Sequence, residues 1–376
     1  MITKIGIQNF KAFAGKHEVK IGTLNLLTGI NGRGKSSFLQ SLLLISQSIR
    51  NSDQHSPMYL LTNDEWVQLG DFKDLINIHH KDEGVKICVT TDDAIDNNYE
   101  LLYQGVENDR YVAELRSMLV NGVETFSEAG GYRHATESGE RIAPVFSGYT
   151  PLLKLQNLYY VAAEREGALE SEDKLSGIRF ANVDSRGHNV LNIIYHQGKE
   201  FQRQIEKYLS QIFDGATFKI AEDDRTIRLF MDSVDNGDDF RPVNVGYGYR
   251  YILTLLTVGL MAKQGDLVVI ENPEAHLHPS AQSAIMHFIC EHVISKDVQV
   301  FLETHSDHIV NAALLAVRKN VVAQDKIEVM FFYRTTNDTE ANIINLEVTS
   351  KGRVKNPPKN FCDQYVLDLR ELMGYY

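Results

Sequence analysis

The chain has 376 residues, 43% of them hydrophobic and 23% charged, and carries a formal net charge of -12. That length and balance suit an ordinary globular fold with a substantial core. The acidic excess argues against a protein that coats nucleic acid nonspecifically, although lysines and arginines can still gather locally in space. The longest apolar runs, such as "YILTLLTVGLMA", fall short of the ~20 residues of a membrane span. The opening "MITKIGIQNFKAF" lacks the charged-then-apolar layout of a signal peptide. Cys88, Cys290 and Cys362 have no metal spacing and form no even disulfide set. A reducing, cytoplasmic setting without a membrane partner is the expectation.

In chain order, "ITKIGIQNF" alternates as a strand, and "LNLLTG" reads as a buried strand entering a glycine-rich turn. "KSSFLQSLLLISQSI" has helical length and spacing. "VKICVTT" and "NYELLYQG" predict short strands separated by polar turns, and "SEAGGYRHATESGER" predicts a mobile loop. After the strand "NLYYVAAE", "VLNIIYHQG" and "EFQRQIEKYLSQIF" predict helices, while "TFKIAE" and "TIRLFMD" predict strands. The remainder repeats a helix–strand order: "YILTLLTVGLMA", "LVVIE", "SAQSAIMHFICEHVI", "VQVFLET", "HIVNAALLAVRK" and "IEVMFFYR". Such alternation implies a mostly parallel sheet with helices on both faces.

"GINGRGKS", Gly29 to Ser36, fits G-x-x-x-x-G-K-[ST] between a strand and a helix. Its glycines let successive N–H groups curl inward into an anion nest at a helix N-terminus. Asn31, Gly32, Gly34, Lys35, Ser36 and Ser37 are therefore candidates to hold ATP, with Lys35 on the β- and γ-phosphates and Ser36 on Mg²⁺. A chance glycine loop would not be expected to have the strand, the lysine and the serine together. Glu271 ends the apolar run "LVVIE" and is the second candidate for Mg²⁺, held through water. Asn272 follows it and cannot accept a proton. Glu274, placed in a turn by Pro273, either acts as general base or caps the helix that begins near Pro279. His276 and His278 in "HLHP" lack the further ligands a zinc site needs.

"IQNFKAF", "GINGRGKSS", "PVNVGYGYRY", "ENPEAHLHP" and "ETHSDHIVN" occur in an order that resembles ABC-type ATPases of the SMC and RecF kind, and among them the OLD-like ATPases of genome maintenance and anti-phage defence. The likeness covers roughly the first eighty and last two hundred residues; the ending "GRVKNPPKNFCDQYVLDLRELM" also resembles a short C-terminal segment of some of these ATPases. It implies that "NVGYG" is the signature loop, in which Asn244, Gly246, Gly248 and the adjacent Arg250 serve the γ-phosphate held by a second subunit. Arg250-Tyr251 departs from the family's usual Ser-Gln there. Likewise Asn272 stands where the family often carries its water-activating glutamate. The resemblance makes His305 the switch histidine, with Glu303 and Asp307 orienting it, while Ser306 or Asp307 would also cap a helix. Gln68 or Asp71 would serve the loop linking nucleotide to the rest of the head. Arg165, Arg186 and His188 fall in segments that would meet DNA or a partner, or make internal ion pairs.

The implied fold is α/β: an ABC-type P-loop NTPase head with an antiparallel β-rich N-terminal part and a helical insertion. One domain, 1–376, is expected, divided into a phosphate-loop lobe (1–84), a β-rich insertion (85–157), a helical lid region (158–240), a signature and switch lobe (241–335) and a C-terminal segment (336–376). The implied activity is ATP hydrolysis with Mg²⁺, catalysed by Glu271, Asn272, Glu274 and His305. Heads would pair around ATP, as a dimer or a higher oligomer, to control or power a separate effector in anti-phage defence. An autonomous RecF-type repair ATPase acting on DNA, and a slowly hydrolysing ATP-held scaffold, are the alternatives.

Overall fold

The computed structural model describes residues 1–52, 57–81, 83–94, 97–127, 131–132, 152, 154–175, 182–233, 237, 239–335 and 340–374. Apart from Ser127 and the Gly131-Tyr132 pair, the expected mobile loop lies outside the described residues. The chain divides into two compact units. One takes residues 1–158, 328–347 and 356–364; the other takes 159–327, 348–355 and 365–376.

The first unit begins with β1 (Ile2–Gln8), β2 (His17–Lys20), β3 (Leu24–Gly29), α1 (Lys35–Asn51), β4 (Tyr59–Leu61) and α2 (Phe72–Leu75). It continues through β5 (Val85–Thr91), β6 (Asn98–Val106), β7 (Asp109–Val120), β8 (Val123–Ser127) and β9 (Gly131–Tyr132). These strands form an antiparallel sheet in the order β2-β1-β5-β6-β7-β8-β9, with β4 on β7. Alternation drives it: Tyr99, Leu101 and Tyr103 of β6 all point inward, and the Tyr103 hydroxyl is satisfied by the Pro57 carbonyl at 2.8 Å. Gly6 lies opposite Cys88, so the β-rich segment expected from residue 85 onward is paired directly with the first strand.

Helix α1 is buried along most of its length, including Phe38, Leu39, Leu42, Leu43, Leu44, Ile45 and Ile49. Its polar members are absorbed internally. Ser41 and Ser48 donate to the carbonyls of Phe38 and Leu44, and buried Gln47 accepts from the Trp66 and Val67 amides at 3.2 and 3.1 Å.

The second unit contains β10 (Leu158–Val161), β11 (Ser171–Asp173), α3 (Val190–Gln197), α4 (Lys199–Ile212), β12 (Thr217–Glu222), β13 (Thr226–Asp232), α5 (Tyr247–Met261), β14 (Leu267–Glu271), α6 (Pro279–Phe288), β15 (Gln299–Glu303) and α7 (Asp307–Arg318). β10, β14 and β15 lie side by side, with β14 and β15 parallel. A small antiparallel sheet, β11-β13-β12, accompanies the helix pair α3–α4 and matches the expected helical insertion. Gly198, at φ +85°, separates those two helices. The run predicted as one helix from Ser280 to Ile294 passes at Ile289 into a π-helical turn. Widening the helix there lets Cys290, Val293 and Ile294 all be buried.

The chain returns to the first unit with β16 (Ile327–Tyr333) and β17 (Asn342–Leu346), in the order β3-β16-β17; the last helix, α8 (Gln364–Leu372), belongs to the second unit from Tyr365 onward. Among the described residues no helix is long and apolar enough to cross a membrane. Cys88 and Cys290 are buried and unbridged.

Candidate nucleotide site

In the first unit β3 ends at Gly29, whose φ is +129°, and a Cβ there would stand 2.2 Å from the Phe332 carbonyl oxygen. Only glycine fits. Gly32 and Gly34 follow at φ +69° and +94°, and a Cβ on Gly34 would meet the Phe13 ring at 2.6 Å. Gly34 caps the 17-residue α1, whose first turn has no acid and no side-chain cap. That leaves an open, positively polarised helix end. Lys35, 3% exposed, lies beneath the loop and donates Nζ to the carbonyls of Gly29 at 3.0 Å and Ile30 at 3.1 Å. Asn31, Gly32 and Ser36 are exposed and Ser37 is half-buried. This donor set fits a polyphosphate, with Ser36 able to ligate Mg²⁺.

Beside Gly32 opens a cavity of about 250 Å³ lined by Lys11, Asn77, His79, Arg334 and Ala341 among others. Its cations were not singled out in the sequence, although "NFKAF" contains Lys11. Burial pulls the Lys11 ammonium below the usual lysine range, the charge of Asp74 resists, and Nζ donates to Gln40 at 2.6 Å. Asp71 starts α2 with a capping box and faces Arg110 at 3.4 Å, while Gln68 is exposed.

In the second unit Glu271 ends β14 directly opposite Glu303 of β15. The Tyr160 hydroxyl hydrogen-bonds Glu271, and the Ala163 amide donates to its Oε2 at 3.3 Å. Burial, then the neighbouring Glu303, pushes the Glu271 carboxyl up to about 7, while Arg165 pulls it down. A carboxyl raised on folding favours the folded state below its unfolded value and loses that contribution as pH rises through its folded value. In EDTA, therefore, the chain should lose stability between about pH 4.5 and 7. Glu271→Gln should remove roughly 1–3 kcal/mol of that slope, as read by urea unfolding at the two ends of the range.

The turn after Glu271 is tightly made. Asn272 has φ +45°, its amide donates to the Glu303 carbonyl at 2.9 Å, and its side-chain Oδ1 is buried without a hydrogen-bond partner. Left-handed backbone favours asparagine over most residues, which gives its presence a conformational reason. Glu274 reaches the segment that follows β15: Oε1 accepts the His305 amide and Oε2 accepts the Thr304 hydroxyl, both at 2.8 Å. Each oxygen keeps a further lone pair. His305 is exposed and Glu303 is 4% exposed. Ser306 caps α7, accepting the amides of His308 and Ile309 at 3.1 and 3.4 Å. His278 likewise caps α6 through the Ser280 amide, and His276 packs against the rings of Tyr247 and Tyr251. No metal-ligating cluster occurs among the described residues.

The "NVGYG" segment forms a 3₁₀ turn, Pro242–Asn244, and then the cap of α5 at Gly246. Asn244 and Gly246 are exposed. Gly248 is buried, and a Cβ there would lie 2.8 Å from the His276 carbonyl oxygen, so the glycine admits the carboxylate turn. Arg250 is half-buried and donates Nε to the Ala168 carbonyl at 2.8 Å. Arg186 is exposed, and His188 lies 3.5 Å from Glu166. Arg165 points inward instead, at 4% exposure.

Residues 155–310 match the family model of the AAA ATPase domain. No curated protein matches the chain. Among solved structures, the chain is similar to an SMC head bound to the C-winged helix domain of ScpA, at 12% identity and a TM-score of 0.52, over 92% of this chain and 98% of that one. An SMC head domain from Thermotoga maritima aligns at 10% identity and a TM-score of 0.47, over 92% and 99% of the two chains. An Smc head domain with an extended coiled coil, bound to the C-terminal domain of ScpA derived from Pyrococcus furiosus, aligns at 10% and 0.49 over 99% of each. The fold is thus that of an ABC-type P-loop ATPase head, as the first of these likenesses shows, and the matched segment is similar to AAA ATPase domains.

Proposed function

We propose that the chain is an Mg²⁺-dependent ATPase of the ABC type whose heads pair around ATP to control or power a separate effector. The observation that carries this reading is the phosphate loop: three left-handed glycines, an uncapped helix end and a buried lysine beneath them. Lys35 and the loop amides would hold the β- and γ-phosphates, and Lys11, His79 and Arg334 would edge the base and sugar. Mg²⁺, held by Ser36 and through water by Glu271, would neutralise phosphate charge. Glu274 would accept the proton of the attacking water, and His305, whose amide it holds, would contact the γ-phosphate. Asn244, Gly246, Gly248 and Arg250 would serve the nucleotide of the second copy. Within this reading the two units work as one ATPase domain, and the sequence's OLD-like motifs make anti-phage defence the setting.

The scaffold reading has one observation in its favour. Asn272 follows Glu271 and supplies no base, and its turn is already made by backbone bonds. Light scattering on the Glu274→Gln chain separates the readings. Mass should double with saturating Mg²⁺-ATP and stay single with EDTA; an unchanged mass at saturating ATP rules out head pairing. If wild-type mass also stays doubled for hours without phosphate release, the scaffold reading holds. Turnover raised by duplex DNA, and falling steeply with salt, would favour the repair ATPase.

A further inference from the structure

We propose that Arg165 is a positioning residue that couples the carboxylate turn to the start of α5. Its guanidinium spans two segments of backbone. Nη1 donates to the carbonyls of Ala162 and Glu271, each at 2.9 Å, and Nη2 donates to the Asn272 carbonyl at 3.0 Å. The same group lies 5.2 Å over the ring of Tyr251, in the first turns of α5. A planar fork meets both demands at once, bonding in its plane and stacking on its face.

The surrounding chain is built to hold this arrangement. Gly167, at φ +72°, lies so close to α5 that a Cβ would stand 2.7 Å from the Arg250 carbonyl carbon. The Ala168 amide donates to the Arg250 carbonyl at 3.2 Å, and Arg250 Nε returns a bond to the Ala168 carbonyl. Segment 162–168 therefore grips both the turn after β14 and the helix that follows "NVGYG". Asn272 needs such a grip, because its left-handed backbone is held only by the bonds around it. Through Arg165, a shift of α5 would be felt at the carbonyls of Glu271 and Asn272, and so at the placement of Glu274.

The coupling rests on the ATPase reading for its consequence but not for its geometry, so the test has two parts. The first is hydrogen exchange in the nucleotide-free chain for wild type, Arg165→Gln, Arg165→Lys, Tyr251→Leu and the double variant Arg165→Gln/Tyr251→Leu. The Asn272 amide donates to the Glu303 carbonyl and the Ala275 amide to the Asn272 carbonyl, so both report on the turn. Their protection should fall about tenfold or more in Arg165→Gln and in Tyr251→Leu, with the Val310 amide of α7 unchanged. Tyr251 also packs on His276, so the double variant should lose a little more than Arg165→Gln but clearly less than the two single losses combined. Lysine should rescue only in part, having no planar face.

The second part is turnover against ATP affinity in the same preparations. kcat should fall roughly ten- to a hundredfold in Arg165→Gln while ATP affinity stays within about twofold. Wild-type exchange at Asn272 in Tyr251→Leu overturns the coupling even if Arg165→Gln fails to fold, and strictly additive losses overturn it when the double variant folds. A wild-type chain that neither binds nor cleaves ATP defeats the ATPase reading alone, and the exchange data still decide the coupling.

Discussion

Lys35→Ala is expected to weaken Mg²⁺-ATP binding by roughly 10²–10³-fold and to leave no measurable turnover. The lysine is buried beneath the loop, bonded to two of the loop's own carbonyls. Alanine removes the charge that would face the phosphates and also the group that gathers those carbonyls. Each charge-assisted bond contributes about 1.5–3 kcal/mol, so losing two at the lower end of that range accounts for that factor. α1 should survive, since alanine is a good helix former and Phe38, Leu39 and Leu42 remain buried. Titration with a fluorescent ATP analogue, beside a circular dichroism melt, checks both halves of the expectation.

Glu274→Gln is expected to lower kcat by about 10²–10⁴-fold with ATP affinity nearly unchanged. The amide keeps the shape and one acceptor oxygen for the His305 amide or the Thr304 hydroxyl, so most of the turn should stay in place. What it loses is the capacity to take a proton. Glu274→Ala should lose as much turnover and also free Thr304 and His305. Single-turnover phosphate release on both variants distinguishes the roles. A glutamine variant with near wild-type chemistry would make Glu274 a tether for His305 and place the base elsewhere.

The phosphate loop was legible because its chemistry is local: a strand, glycines at fixed spacing, a lysine and a helix lie within one short stretch. β10, the strands from β12 to β16 and the helices among them were legible for the same reason, through period and length, whereas the three-residue β11 was too short to show a pattern. Other features depend on residues far apart in sequence. No local pattern says that Gly6 pairs with Cys88, or that Glu274 accepts the amide of His305 thirty-one residues later. The π turn at Ile289 follows from what its side chains pack against, and helical periodicity alone reads straight through it.

Two residues changed meaning once placed. Asn272 stood out in the sequence as a missing acid, yet its positive φ supplies a backbone reason for asparagine. Arg165 had been open to a role on DNA or a partner, and its exposure of 4% with three carbonyl partners turns it inward. Lys11 gives the converse case. It sits in "NFKAF", but the cavity beside Gly32 is what brings it together with His79 and Arg334.

The most direct test of the central claim is phosphate release from ATP by the wild-type chain, with Mg²⁺ in excess and again in EDTA, alongside ATP binding under the same conditions. The account predicts saturable binding near one ATP per chain and phosphate release that stops in EDTA. A folded chain that binds no ATP at millimolar concentration and releases no phosphate in either condition would contradict it.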